Sequence, residues 1–306
     1  MEFLCKVDEL DVDHTVFGGQ AFRWRREDDG TRACVLWSPD GPVVVRLAVA
    51  GSDVLASTQP AGRMDFVRDY FRMDVDLPAL TAQFIDADPS IGPAAKAYPG
   101  LRILRQDPVE CLFSFICSTA SPLHRIRKNI TRMCETYGET TSIDDGWGAI
   151  PFRSFPTVQA IADSDQETMF GFGLGYRAKF LRQSARQVLD LGGETWLRGL
   201  RDKPYAEART SLIALTGVGA KVADCVCLFS LDKDDAIPGD THVRQVVERL
   251  YAPELAGKSL TPTVYAAIGD ALRQRFGPMA GWAQQYLFYD NMFEKRAWSS
   301  YEKQLG

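Results

Sequence analysis

No apolar run in this sequence approaches the roughly 20 residues that a membrane-crossing helix needs. Its opening, MEFLCKVDELDVD, has neither the basic head nor the long apolar segment of a secretory leader. An intracellular chain is therefore expected, in the cytoplasm or nucleoid of a prokaryote or the nucleus of a eukaryote. An excess of basic charge is missing too: the net charge is −5, which argues mildly against a nucleic-acid partner, whose phosphates usually demand a basic surface. The seven cysteines, Cys5, Cys34, Cys111, Cys117, Cys134, Cys225 and Cys227, form an odd and scattered set. Reduced thiols fit that pattern better than a disulfide framework. Because no cysteine follows Cys227, a cysteine-held cluster near the C-terminus is excluded.

With 306 residues and 45% hydrophobic content, the chain can bury a full core as one large or two medium domains. From about residue 1 to 88, β-favouring runs predominate: Ala33 to Ser38, Pro42 to Val49 after Asp40-Gly41, and Val54 to Ser57. They read as an antiparallel sheet. Gly18-Gly19-Gln20-Ala21-Phe22-Arg23-Trp24-Arg25 reads as a tight turn entering an alternating strand, with Gly19 able to bring backbone close to a ligand or simply to turn a hairpin. Arg63 to Phe71 opens the helical part, and helical periodicity dominates from Leu77 onward. Asp107-Pro108 starts a helix too apolar to be anything but core, and Ser118-Thr119-Ala120-Ser121-Pro122 stops it just before Arg125. Basic side chains gather at Arg125, Arg127, Lys128 and Arg132, and again at Arg177, Lys179, Arg182 and Arg186. Either group alone reads equally as the solvated face of a helix. After a loop-rich passage from 138 to 154, Gly171, Gly173 and Gly175 lead into an amphipathic helix from Arg177 to Leu191. Their spacing is not that of a dinucleotide fingerprint.

The richest stretch is LIALTGVGAKVADCVCLFSLDKDDAIPGDTHVR, from Leu212 to Arg244. A helix from Tyr205 to Leu215 turns through Leu215-Thr216-Gly217-Val218-Gly219 into a second helix. Gly217 and Gly219 permit close approach, and the free amides of the second helix favour an anion such as a DNA phosphate, with no need for net positive charge. A P-loop is excluded by the spacing around Lys221 and by the absence of Ser or Thr after it. Lys221 sits in the first turn and Cys225 one turn later on the same face. A lysine at a helix N-terminus is pressed toward its neutral, nucleophilic form and can attack electrophilic carbon, although a lone lysine is ordinarily a solvated charge. Asp240, after Pro238-Gly239, is an N-cap for the helix Val243 to Tyr251. Capping is compatible with catalysis, because a carboxylate held by amides stays ionised and can stabilise a growing positive charge. His242 can donate to a phosphate or merely cap.

In that order, LTGVGAKVADCVCLFSLDKDDAIPGDTH resembles the helix-hairpin-helix and Gly/Pro-rich-loop-Asp (HhH-GPD) signature of DNA glycosylases, most closely that of the 8-oxoguanine DNA glycosylase/AP lyase family. GGQAFRWR, LRILRQDPVECLFSFICS, FGLGYRAKF and GPMAGWAQQYLF also resemble family segments in family order, so the resemblance spans nearly the whole chain. It implies an α+β protein: an N-terminal antiparallel β-sheet domain, residues 1–88, and a two-lobed all-helical HhH-GPD glycosylase domain, residues 89–306, with the lesion pocket between the lobes. It further implies that Lys221 attacks the sugar C1′ while Asp240 supports base departure and the later lyase steps. Gly19 would accept the N7 hydrogen that distinguishes oxidised guanine. Cys225 and Phe288 would sandwich the flipped base and Gln284 would read its pairing edge. Arg125 and Arg177 would grip the orphaned cytosine and Tyr176 would wedge the opened step, with Gly217, Gly219 and His242 on the strand. No metal or other cofactor is implied. The expected partner is duplex DNA containing 8-oxoguanine, bound by a monomer.

Three positions depart from the family pattern. Ala120 stands where an amide is expected to contact the orphaned cytosine, so a relaxed opposite-base preference is expected. Thr216 replaces a usual proline in the hairpin, and Asn291 occupies the place of an acidic residue. Two other readings compete: an alkylated-base glycosylase using water and Asp240 alone, which Lys221 and Gly19 disfavour, and a catalytically silent DNA-binding module, which retention of both Lys221 and Asp240 disfavours.

Overall fold

A computed structural model describes residues 1–119, 121–141 and 152–293. Five strands, β1 (Glu2–Lys6), β2 (Arg25–Arg26), β3 (Arg32–Ser38), β4 (Gly41–Ala50) and β5 (Asp53–Gln59), form an antiparallel sheet in the order β1-β5-β4-β3-β2. The two-residue link Pro39-Asp40 fixes the β3/β4 register, pairing Ser38 with Gly41 and Arg32 with Leu47. Alternation then decides which side chains are covered. Cys34, Leu36, Val43, Val45, Leu47, Val54 and Ala56 pack with helices Val12–Phe17 and Met64–Tyr70, while Ala33, Val35 and Val44 form a small cluster apart.

The strand expected across Gln20 to Arg25 shrinks to Arg25–Arg26. Its place is taken by side-chain hydrogen bonds. Buried Gln20 donates to the carbonyls of Thr15 (3.0 Å) and Arg102 (2.8 Å), accepts from the Leu104 amide (2.9 Å), and receives Gln106 on its own carbonyl (2.7 Å). Those bonds satisfy the buried backbone of Arg102 and Leu104 without a ladder. A short helix, Val12–Phe17, capped by Asp11 through the His14 amide (2.9 Å), also lies within the sheet portion.

Helices dominate after residue 63, as expected, and the helix Leu77–Ala87 already belongs to the larger core. That core is centred on Pro108–Ser118, in which every residue from Pro108 to Cys117 is buried. Asp107 caps it through the amides of Val109 and Glu110. The hairpin helix Ala220–Ser230 packs directly on it. Sheet and helices are stapled by Arg23, which donates to Glu110 (2.6 Å) and to the carbonyls of Val35 (2.9 Å) and Arg153 (2.6 Å). Burial pushes the Glu110 carboxyl up, while Arg23 beside it pulls the other way.

Candidate active site

Helix Tyr205–Ile213 stops two residues before its expected end, and the chain turns through Leu215 to Gly219. Gly217 has φ of 82°, and a Cβ there would come within 2.7 Å of Phe180 Cβ, so both conformation and space call for glycine. Thr216 is held by its amide donating to Gln187 (2.8 Å). The hairpin is thereby seated on the helix Arg177–Asp190, and proline is not required at 216. Gly219 caps the next helix without a side chain and is exposed, which leaves the first-turn amides facing outward.

Lys221, half-buried in that first turn, places its Nζ 5.1 Å from the centroid of the Phe115 ring. Cys225, one turn on, is buried, and burial pushes its thiol up to about 12, with Lys221 opposing the rise and Asp224 and Asp240 adding to it. Asp240 caps the helix Thr241–Leu250, accepting from the Val243 amide (2.9 Å). Lys221 and Asp240 line one cleft of about 1240 Å³ together with Gly217, Gly219, Asp224 and Tyr265.

Sequence reasoning missed what lies at the base of this cleft. Asp224, 1% exposed, accepts from the Tyr205 hydroxyl (2.7 Å), the Arg209 guanidinium (2.8 Å) and the Tyr265 hydroxyl (2.7 Å). Only the position of Asp224, three residues after Lys221 in an otherwise apolar helix, signalled it: a buried carboxylate must find partners. Burial raises its pKa, against the two tyrosines and Arg209.

The residues expected to read the base do not line that cleft. Gly19 lies in the loop after Val12–Phe17 with φ of 90°, and among the described residues nothing stands within 4 Å of where a Cβ would be. The loop is fixed by its neighbour: a Cβ on Gly18 would fall on the Tyr289 hydroxyl, which donates to the His14 carbonyl. Tyr289 follows Phe288 on the helix Ala280–Phe293, and Gln284 precedes Phe288 by one turn, on the same face. Gln284 is buried, and its Oε1 has no hydrogen-bond partner among the described residues, the condition of an acceptor awaiting a donor. The helix presses against the hairpin helix at Gly281, whose Cβ would meet Leu228 Cδ1 at 2.5 Å. Phe288 is half-buried and meets His242 edge-on, ring centroids 5.6 Å apart.

His242 is thus turned inward, with Nδ1 3.2 Å from the Asn291 amide nitrogen, which also donates to Gln245 (3.2 Å). Arg125 is exposed. Arg177 is buried, its guanidinium donating to the Thr119 carbonyl (2.8 Å from Nε) and lying 4.7 Å from the Tyr176 ring. Tyr176 itself is 54% exposed, edge-on to Phe180. Among the basic side chains of the 125–132 group, Arg127 donates to the Trp24 carbonyl and lies over Phe17, a structural tie to the sheet domain. Ala120 lies outside the described residues.

Residues 2–112 match the model of the 8-oxoguanine DNA glycosylase N-terminal domain, and residues 113–261 match the HhH-GPD superfamily of base excision DNA repair proteins. The chain is 36% identical to the N-glycosylase/DNA lyase OGG1 of Arabidopsis thaliana over 92% of this chain and 77% of that protein. It is 31% identical to the N-glycosylase/DNA lyase of Saccharomyces cerevisiae, over 92% and 83%. The crystal structure of Clostridium acetobutylicum 8-oxoguanine glycosylase/lyase with duplex DNA containing cytosine opposite 8-oxoguanine superposes with a TM-score of 0.81 at 29% identity, covering 94% of this chain and 93% of that one. A 3-methyladenine DNA glycosylase from Archaeoglobus fulgidus shares the fold, with a TM-score of 0.74 at 20% identity, covering 97% and 99%. A sheet domain, a glycine hairpin bearing Lys221 and a capped Asp240 on the same cleft, joined to these likenesses, place the chain in the 8-oxoguanine DNA N-glycosylase/lyase family of the HhH-GPD superfamily.

Proposed function

We propose that this chain, acting as a monomer, flips 8-oxoguanine out of duplex DNA, excises it, and cleaves the resulting abasic site by β-elimination. The observation that carries the reading is the shared cleft of Lys221 and Asp240, with the amine at the start of the hairpin helix and the carboxylate tethered by a cap. The Lys221 amine attacks C1′ as the glycosidic bond breaks, and the base leaves with the bonding pair and takes up a proton. The Asp240 carboxylate stabilises the positive charge that grows on the sugar. Ring opening converts the C1′ adduct to a Schiff base, which acidifies the 2′ carbon. Loss of a 2′ proton then expels the 3′ phosphate.

Gly19 accepts the N7 hydrogen of the lesion. Normal guanine lacks that hydrogen and leaves the carbonyl facing a lone pair, a penalty of about 1–3 kcal/mol for an unpaired buried group. Cys225 and Phe288 cover the two faces of the base, and the Oε1 of Gln284, without a partner among the described residues, supports a role in reading its edge. Arg125, Arg177 and exposed Tyr176 act on the partner strand, with the hairpin amides of Gly217 and Gly219 and His242 on the lesion strand. The C. acetobutylicum relative was crystallised on such a duplex, which supports the choice of partner. The test is borohydride trapping on an 8-oxoguanine duplex with wild type and Lys221→Gln. Wild type is expected to give a covalent adduct and the variant none; no adduct with wild type overturns the lyase assignment.

A further inference from the structure

Tyr265 stands between the two halves of the catalytic pair. Its hydroxyl carries one hydrogen and therefore one donated bond, which goes to buried Asp224 (2.7 Å) in preference to the longer contact with the neutral Ile237 carbonyl (3.3 Å). Its oxygen in turn accepts the backbone N–H of Gly239 (3.1 Å), the residue before Asp240. The ring supports the same loop from beneath, since a Cβ on Gly239 would lie 3.1 Å from Tyr265 Cε2. Asp224 is three residues after Lys221 on the hairpin helix, and it is held from the other side by Tyr205 and Arg209. Burial and the adjacent Asp224 carboxylate keep the Tyr265 hydroxyl protonated, so the donor is constant.

We propose that Asp224 and Tyr265 are positioning residues, a hydrogen-bonded strut from the helix carrying Lys221 to the loop carrying Asp240 that sets where the carboxylate stands relative to the amine. Neither touches the substrate in this scheme. The proposal rests on the role of Asp240 assigned above. The Gly239 amide and the Asp240 side chain belong to one short turn, in which the Asp240 amide also donates to the Pro238 carbonyl (2.8 Å). A shift at Gly239 is therefore passed to the carboxylate with little room for absorption. Misplacing a catalytic group by about 1 Å costs on the order of a hundredfold in rate.

The test compares Tyr265→Phe, Asp224→Asn and Asp240→Asn in three measurements: single-turnover excision from an 8-oxoguanine duplex, borohydride trapping on a preformed abasic-site duplex, and thermal melting. Trapping on the preformed site needs the Lys221 amine but no base departure. Tyr265→Phe is expected to slow excision by about ten- to a hundredfold while trapping stays within about threefold. Asp224→Asn keeps an acceptor for Tyr265 but weakens the bond, so its excision is expected to fall between wild type and Tyr265→Phe. Unchanged excision in Tyr265→Phe overturns the proposal, as does an equal fall of excision and trapping accompanied by a lowered melting point, which marks ordinary loss of packing. Full excision by Asp240→Asn removes the underlying role of Asp240, and the proposal with it. An inactive Asp240→Asn beside a fully active Tyr265→Phe sinks the strut alone.

Discussion

Lys221 and Asp240 are separated by one helix and one loop, whereas Gly19, Gln284 and Phe288 come from opposite ends of the chain. The first pair is placed by local devices: a hairpin with glycine where φ is positive, a helix start, and an N-cap. The second set depends on one long-range contact, the packing of Gly18 against Tyr289, and on the approach of Ala280–Phe293 to the hairpin helix at Gly281. Under the proposed function, a site built in this way would separate chemistry from recognition. Changes to the first region should abolish turnover with little loss of stability, and changes to the second should alter which base is accepted.

Asp240→Asn is the sharpest way to break the comparison. Asparagine caps a helix about as well as aspartate, so melting should shift little, while loss of the carboxylate is expected to lower excision by about 10²- to 10⁴-fold; a rate near wild type would confine Asp240 to capping. Gly18→Ala comes next. Its methyl group falls on the Tyr289 hydroxyl, and relief of that overlap should cost about 1–3 kcal/mol in chemical denaturation. It should also narrow the preference for 8-oxoguanine over guanine by displacing Gly19.

Gln284→Leu removes a buried acceptor that has no partner among the described residues, so stability is expected to hold or rise. Lesion excision should fall about tenfold for one lost edge contact, and single-turnover rates beside melting curves check both. The smallest effect concerns the partner strand. With alanine at 120, excision from duplexes pairing the lesion with each of the four bases is expected to vary by less than about tenfold, since each base readout is worth about 1–3 kcal/mol and the amide contact is missing. A strict cytosine requirement in the same series would place the discrimination in Arg125 and Arg177 alone.

The local structure around Lys221 and Asp240 was largely legible in sequence, because hairpins, caps and helix starts are read from neighbours in the chain. Lys221 and Asp240 could be assigned to opposite ends of one buried hairpin element from spacing and glycine chemistry. The strut between them was not legible. Asp224 stood out only as a carboxylate in an otherwise apolar stretch, and its partners come from two other helices, Tyr205 and Arg209 from Tyr205–Ile213 and Tyr265 from Pro262–Phe276. The strand expected after Gly19 failed for a related reason: a buried glutamine took over hydrogen bonds that alternation alone assigns to a ladder. The basic group at 125–132 also divided on folding, Arg125 remaining exposed while Arg127 was drawn onto Trp24 and Phe17.

By itself the sequence determined the order of sheet and helices, the glycine hairpin, the helix start that carries Lys221 and the loop capped by Asp240, since backbone conformation at glycine, proline and capping residues is decided within a few residues. Only the tertiary structure decided that Tyr265 holds the Gly239 amide before Asp240, that Tyr289 seats Gly18, that His242 faces Phe288 and Asn291, and that Gln284 is buried with its acceptor unpartnered among the described residues. Those outcomes depend on which side chains meet across segments far apart in the chain, and burial then obliges each polar group to find a partner among whatever neighbours packing has supplied.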